Sequence, residues 1–300
     1  MLGMKAFSSL AIALALGSTF SARAADLPPM RSVDLFGQTI KYYDVGAGPT
    51  IVLLHGLGSS AERDWGACIK QLSAHHRVLA PDQLGFGDSA KPVIDYGIQT
   101  WVDFLGEFLR VEKARDFTLA GESLGGWIAA QYAIQSLGPR GSSMPSYPFP
   151  APSRLVLVDA AGHRKLAEAI AAGGHNGLSL AGSKALLTAV FFDPARSTDE
   201  AARAVFAAGM AKGDAWTIHS LISNHGIVAE SVDDQLGRIT VPTLVIWGAE
   251  DPLIPLEDGK DYAARIAGAK LVVVPQSRHA PEIEKPEIVC AAIEQLFGAP

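Results

Sequence analysis

Ser123 lies in Gly121-Glu-Ser-Leu-Gly125, after the apolar run Phe117-Thr-Leu-Ala120 and before a helical stretch opening near Trp127. A serine hydroxyl attacks a carbonyl carbon only where its oxygen stands clear of the backbone. It also needs a base and donors for the negative charge that develops. A sharp turn from strand to helix meets these needs. It forces the serine into a strained conformation, its glycines lack colliding side chains, and the helix N-terminus aims N–H groups at the new charge. The pentapeptide alone is a weak signal in a chain with 30 glycines, so its weight rests on partners elsewhere.

Those partners exist. Val241-Pro-Thr-Leu-Val-Ile-Trp-Gly248 reads as a buried strand, and Asp251 follows in the loop Ala249-Glu-Asp-Pro252, with Glu250 as the rival carboxylate. Ala269-Lys-Leu-Val-Val-Val-Pro275 is a second apolar strand, and His279 follows it just before Pro281, a residue suited to a helix start. The order is Ser, acid, His, each after an apolar strand. In an open parallel sheet such strand ends converge on one edge, where ligands bind.

Two upstream motifs complete the pattern: His55-Gly-Leu-Gly58 after the strand Thr50–Leu54, and Pro81-Asp-Gln-Leu-Gly-Phe-Gly-Asp-Ser89 after Arg77–Ala80. With five motifs in this order, the chain resembles the serine hydrolases of the α/β-hydrolase fold, the esterase and lipase group, over residues 33 to 298 with a variable middle. The resemblance implies a mostly parallel central sheet with helices on both faces and a helical lid insertion. It makes Ser123 the nucleophile at the elbow, His279 the general base and then acid, and Asp251 the residue that orients the imidazole. Backbone N–H groups of Leu57 and Leu124 would form the oxyanion hole. His55 would either touch substrate or brace the loop carrying Leu57. Asp82, Asp88 and Ser89 suit acceptance of backbone donors in a glycine-rich loop. Glu122 would tune the nucleophile's surroundings or stand as an ordinary hydrogen-bonded carboxylate.

The expected reaction is cleavage of a carboxylic ester-type bond (ester, lactone or thioester) through an acyl-enzyme. The same constellation also serves amides, C–C bonds next to a carbonyl, perhydrolysis and acyl transfer to an alcohol. Some members keep the triad and act as small-molecule binders. Serine rather than aspartate at 123 argues against the dehalogenase and epoxide-hydrolase branches. The C–C hydrolases usually carry Asn before the nucleophile and Trp after the catalytic His, where this chain has Glu122 and Ala280. The proline-releasing peptidases show His-Gly-Gly-Pro-Gly, where this chain has His55-Gly-Leu-Gly-Ser59.

Composition narrows the partners. The formal charge is -6 at pH 7 with no block of like charges, so no Lys/Arg cluster serves a nucleic acid. No His/Cys/Asp set has metal-ligand spacing, and no glycine-rich phosphate loop follows the first strand. The expectation is a small-molecule ester-like substrate with neither metal nor cofactor.

Residues 1–24 read as a secretory signal peptide: Lys5, the small and apolar run Ala6–Phe20, then Ser21-Ala-Arg-Ala-Ala25, with cleavage before Ala25. The alternative is a leader that is never removed. The run is too short to span a bilayer stably, so the mature protein is expected to be periplasmic or secreted, without stable membrane insertion. Residues 25–159 and 238–300 form the two parts of the core. Residues 160–237 form the helical lid, with helices over Lys165–Ala172, Ala185–Phe192, Glu200–Met210 and Trp216–Ile222.

Phe191, Phe192, Trp216, His219, Asn224 and His225 are candidate pocket contacts, although aromatic residues at helical spacing also build cores. Further expectations are a hairpin over residues 33–45 turning at Gly37-Gln38, a helix over Gln99–Ala114, a strand at Leu155–Val158 and a loop over 138–153. The chain has two cysteines. In the fold it resembles, the helices carrying Cys68 and Cys290 lie on the same face, which allows a bridge in an oxidising compartment. Two buried thiols are the alternative.

Overall fold

The computed structural model describes residues 27–137, 149–172 and 179–297. The signal-peptide reading at 1–24, and residues 138–148 of the expected loop, lie outside the described residues.

Eight strands form one sheet: β1 Arg31–Leu35, β2 Gln38–Val45, β3 Thr50–Leu54, β4 Arg77–Pro81, β5 Thr118–Glu122, β6 Arg154–Val158, β7 Thr243–Gly248 and β8 Lys270–Val274. Their spatial order is β1-β2-β4-β3-β5-β6-β7-β8. The β1–β2 hairpin and the β2–β4 pair are antiparallel, and every other pairing is parallel. This is the expected mostly parallel sheet. The hairpin turns one residue earlier than expected, at Phe36-Gly37, both with positive φ. A two-residue hairpin of type I′ needs that geometry at both central positions, and Asp34 supports it by accepting the Gly37 N–H at 3.0 Å.

Strand side chains alternate between two apolar layers, so helices must cover both faces. Ile51 and Leu53 of β3 join one core with α1 (Ala61–Leu72) and a C-terminal helix, Pro286–Gln295. Val52 and Leu54 join the other core with α2 (Ile98–Val111), α3 (Leu124–Leu137) and a later helix, Leu256–Arg265. On the first face Cys68 and Cys290, both fully buried, form a disulfide with Cα atoms 5.6 Å apart.

Between β6 and β7 the described chain is helical: α4 Arg164–Ala172, α5 Leu180–Val190, α6 Asp199–Lys212 and α7 Asp214–Ser223, then two 3-10 turns. The two helices after Pro255 are α8 (Leu256–Arg265) and, following the single turn α9 (Pro281–Glu284), α10 (Pro286–Gln295). Helix α5 starts earlier than its apolar spacing predicts, because Ser179 caps it by accepting the Gly182 N–H.

Candidate active site

β5 runs straight into α3 through Ser123, whose φ of 51° is left-handed and costly for a residue with a side chain. Three backbone hydrogen bonds hold it there. The Ser123 N–H donates to Val158 at 2.9 Å, and the Ser123 carbonyl accepts from Trp127 and Ala161, each at 3.0 Å. The flanking glycines are sterically required: a Cβ at Gly121 would collide with the Gly125 backbone, and one at Gly125 with the Leu54 carbonyl. Sequence, local strain and packing thus converge on a protruding Oγ.

The other two side chains reach that oxygen. His279 Nε2 lies 3.0 Å from Ser123 Oγ, and His279 Nδ1 lies 2.7 Å from Asp251 Oδ2. Asp251 Oδ1 accepts the N–H groups of Leu253 (2.7 Å) and Ile254 (3.1 Å), which orients the carboxylate and leaves Oδ2 for the histidine. With Nδ1–H donating to Asp251, Nε2 is the free lone pair that faces the hydroxyl, the tautomer inferred from these partners. The rival carboxylate, Glu250, is committed elsewhere: its Oε2 accepts the Ser277 N–H at 3.2 Å.

The loop carrying His279 is clamped from the helical insertion. The His279 N–H donates to the Val190 carbonyl at the end of α5 (3.1 Å), and Arg278 donates from its guanidinium to Thr188. Glu284 accepts from the Phe192 and Asp193 N–H groups through one oxygen, and from Arg278 N–H and Ser277 Oγ–H through the other. This carboxylate ties the insertion to the histidine loop. Nothing in its sequence position, in a charged run after Pro281, announced it.

Leu124 opens α3, so its N–H is one of the first-turn amides that have no acceptor within the helix. Leu57 sits in the loop after β3. That loop is fixed by Gly56 N–H donating to Asp64 (2.8 Å) and by His55, whose Nδ1 meets the Gly56 carbonyl at 2.8 Å while Nε2 accepts from Gln83 N–H at 2.9 Å. His55 is fully buried with both ring nitrogens engaged in bracing this loop. Asp82 accepts from Ala61 and Asp88 N–H groups, and Ser89 joins the Asp82 carbonyl to Lys41 N–H, while Asp88 stays exposed.

The expected pocket residues are scattered, and for Trp216 and His219 the reason is helical phase. Trp216 is 42% exposed with its indole N–H on the Ile94 carbonyl, and His219 is exposed beside it. The face of α7 that turns inward carries Thr217, Ser220 and Leu221. Beside Thr217, Ile218 approaches the loop carrying Leu57: a Cβ at Gly58 would stand 3.2 Å from its Cδ1. Phe191 packs with Leu187, Ala202 and Ala280. Phe192 borders an outer depression with Asp193, Pro194, Arg196, Gln276, Glu284 and Lys285, which holds none of the triad. Asn224 caps the following 3-10 turn and donates to the Tyr96 carbonyl. His225 begins that turn, and its side chain lies outside the described residues.

Several further carboxyls crowd the site, Glu122 of the sequence motif among them. Asp159, at the end of β6, is fully buried; its Oδ1 accepts the Gly248 N–H at 3.0 Å and its Oδ2 has no partner. Burial, then the charge of Asp251, pushes its carboxyl well above the ordinary carboxylate range. Asp159, Asp251 and His279 are the one set among the described residues whose ligand atoms converge as for a metal, yet two of these side chains already bond each other at 2.7 Å. Glu122 is buried with Oε1 3.6 Å from His279 Nε2. Burial, then the charge of Glu282, raises it well above its usual value.

Chemically, the arrangement presents a strained hydroxyl, a lone pair to take its proton, a carboxylate to hold the resulting imidazolium, and a helix start facing the charge that forms. Comparison with known proteins finds hydrolases of the same fold. The 2-hydroxymuconate semialdehyde hydrolase of Pseudomonas sp. CF600 is 31% identical over 265 residues, covering 85% of this chain and 88% of that protein. The 2-hydroxy-6-oxo-2,4-heptadienoate hydrolase of Pseudomonas putida F1 is 29% identical over 252 residues, 81% of this chain and 87% of that one. A crystal structure of a mutant meta-cleavage product hydrolase, CumD, superposes with a TM-score of 0.75 at 28% identity, covering 89% of this chain and 97% of the other. The family model for the alpha/beta hydrolase family matches residues 51–292. The chain therefore belongs to the alpha/beta hydrolase family.

Proposed function

We propose that the protein is a serine hydrolase that cleaves a carboxylic ester-type bond, whether ester, lactone or thioester, through an acyl-enzyme. The observation that carries this reading is the unbroken chain from Ser123 Oγ through His279 to Asp251, with contacts of 3.0 and 2.7 Å. As Oγ attacks the carbonyl carbon, Nε2 takes its proton, and Asp251 stabilises the imidazolium. The tetrahedral oxyanion is met by the Leu124 and Leu57 N–H groups, each such donor lowering the barrier by about 3 to 4 kcal/mol. His279 then returns the proton to the leaving alcohol oxygen. A water, deprotonated by the same nitrogen, releases the acid and restores the hydroxyl.

The helical insertion serves as a lid over this centre. Support comes from Ile218 against the oxyanion loop and from the Val190 carbonyl on the His279 backbone. Residues 1–24 direct export to the periplasm or medium, a reading supported by the leader pattern and consistent with the disulfide. Fractionation and N-terminal sequencing of the mature protein test it.

A second reading, hydrolysis of a C–C bond next to a carbonyl, is favoured by the named relatives. One feature weighs toward the ester: Glu122 and Ala280 stand where C–C hydrolases usually carry Asn and Trp. Parallel kinetics with a neutral short-chain p-nitrophenyl ester and with 2-hydroxymuconate semialdehyde separate the readings. A higher kcat/KM for the ester supports the first, and turnover of the semialdehyde alone overturns it.

A further inference from the structure

Of the two backbone donors, the Leu124 N–H is carried by α3, whereas that of Leu57 lies in a loop. Leu57 is 40% exposed, so little packing of its own side chain fixes the direction of its N–H. Yet the loop runs directly against the nucleophile. A Cβ at Gly56 would stand 3.4 Å from Ser123 Cβ and would collide with Glu122 Oε2. At such close quarters a small rotation of the Leu57 peptide decides whether its N–H meets the oxygen of a bound carbonyl.

One carboxyl outside the triad grips this loop at both ends. Asp64, in the first turn of α1, is only 6% exposed. Its Oδ2 accepts the Gly56 N–H at 2.8 Å, and its Oδ1 accepts Ser59 Oγ–H. Between these two points the chain turns through Leu57 and Gly58, with a φ of 70° at Gly58. The backbone bond that closes the turn, from Ser59 N–H to the Gly56 carbonyl, is 3.4 Å long. That is near the limit for a hydrogen bond, which leaves Asp64 as the main tie. Helix α1 is a fixed platform for it. The Ala61 N–H donates to Asp82 at 2.8 Å, the Trp65 indole N–H donates to the Leu54 carbonyl at 3.0 Å, and Cys68 is bridged to Cys290.

We propose that Asp64 is the positioning residue of the oxyanion hole: by clamping Gly56 and Ser59 to α1, it keeps the Leu57 N–H aimed at the substrate's carbonyl oxygen. It acts through Leu57, and the idea rests on the serine-hydrolase reading above. The clamp matters most after attack, when that oxygen carries charge. Its loss therefore lowers kcat and the affinity for tetrahedral adducts more than the affinity for the ester itself.

The test sets kcat and KM on a p-nitrophenyl ester beside the affinity for an alkyl trifluoromethyl ketone, whose hemiketal with Ser123 carries the same oxyanion. Fluorine NMR reads that adduct without turnover. Asp64→Ala frees both ends of the turn: kcat should fall about a hundredfold, with KM within about threefold of wild type. The dissociation constant of the ketone should rise in step with the loss of kcat/KM. In Asp64→Asn the amide oxygen takes the Gly56 N–H and the NH2 group donates to Ser59 Oγ, so this variant should stay within about tenfold of wild type. Ser59→Ala cuts one tie only. Should Asp64→Ala fail to fold, Ser59→Ala carries the test with a loss of about tenfold in both kcat and ketone affinity. A merely structural role would lower kcat in proportion to the folded protein lost and leave the ketone affinity of the remainder unchanged. That pattern overturns the proposal, as do Asp64→Ala or Ser59→Ala within about threefold of wild type in kcat, or Asp64→Asn as impaired as Asp64→Ala. If the unmutated protein forms no hemiketal and cleaves no ester, the serine-hydrolase reading itself fails and the clamp falls with it.

Discussion

The Cys68–Cys290 disulfide joins α1 to α10 across a sequence separation of 222 residues, with both sulfurs in the core of the α1 face. Closing so long a loop in the unfolded chain removes entropy worth about 5 kcal/mol on the chain-entropy model. Replacing both residues in Cys68→Ala/Cys290→Ala forfeits that constraint and empties two buried sulfur sites, so the stability loss is expected to reach at least about 3 kcal/mol even where native strain offsets part of the entropy. Urea unfolding followed by tryptophan fluorescence measures it, with the m-value expected to rise because the unlinked chain exposes more surface. Activity at low temperature should survive, since neither sulfur contacts the triad. A loss below about 1 kcal/mol, or two reactive thiols in denaturant without reductant, would refute the reasoning.

Asp251→Asn should lower kcat by about 10³- to 10⁴-fold with little change in KM, because the amide favours the wrong imidazole tautomer; Glu250→Gln should cost less than about tenfold in the same ester assay. Glu282 is raised by burial first, so the folded protein holds a proton that the unfolded chain releases, and stability falls as pH rises through the ordinary carboxylate range. Glu282→Gln removes that linkage. Its gain in Tm should therefore be larger at pH 8 than at pH 4, and calorimetry showing the opposite order would be a contradiction. Glu284→Gln keeps one acceptor oxygen and turns its NH2 group either against the Phe192 and Asp193 N–H groups or against that of Arg278, and should cost about 2 to 3 kcal/mol in urea unfolding together with a drop in kcat.

The sheet and the triad were legible because each rests on a local pattern: continuous apolar runs for two-sided burial, and a strained turn bracketed by glycines. The choice between Glu250 and Asp251 was not, since both lie in one loop. In the structure Glu250 accepts the Ser277 N–H, while Asp251 accepts those of Leu253 and Ile254 and turns its other oxygen to His279. Trp216 was chosen by residue type, whereas the inward face of α7 is set by packing, which puts Ile218 against the loop carrying Leu57 and Trp216 at the surface. Glu282 and Glu284, two residues apart after Pro281, look alike in sequence. One is buried without a donor, and the other bonds four groups, a difference made by the tertiary position of α9.

The central claim is that Ser123 Oγ is a nucleophile activated by His279. Mass spectrometry after treatment with a fluorophosphonate probe tests it whatever the natural substrate is. The expected result is a single phosphonyl adduct on the peptide containing Ser123, absent in Ser123→Ala and formed far more slowly in His279→Ala. A folded wild-type protein that stays unlabelled, or that carries the adduct on another residue, would contradict the account.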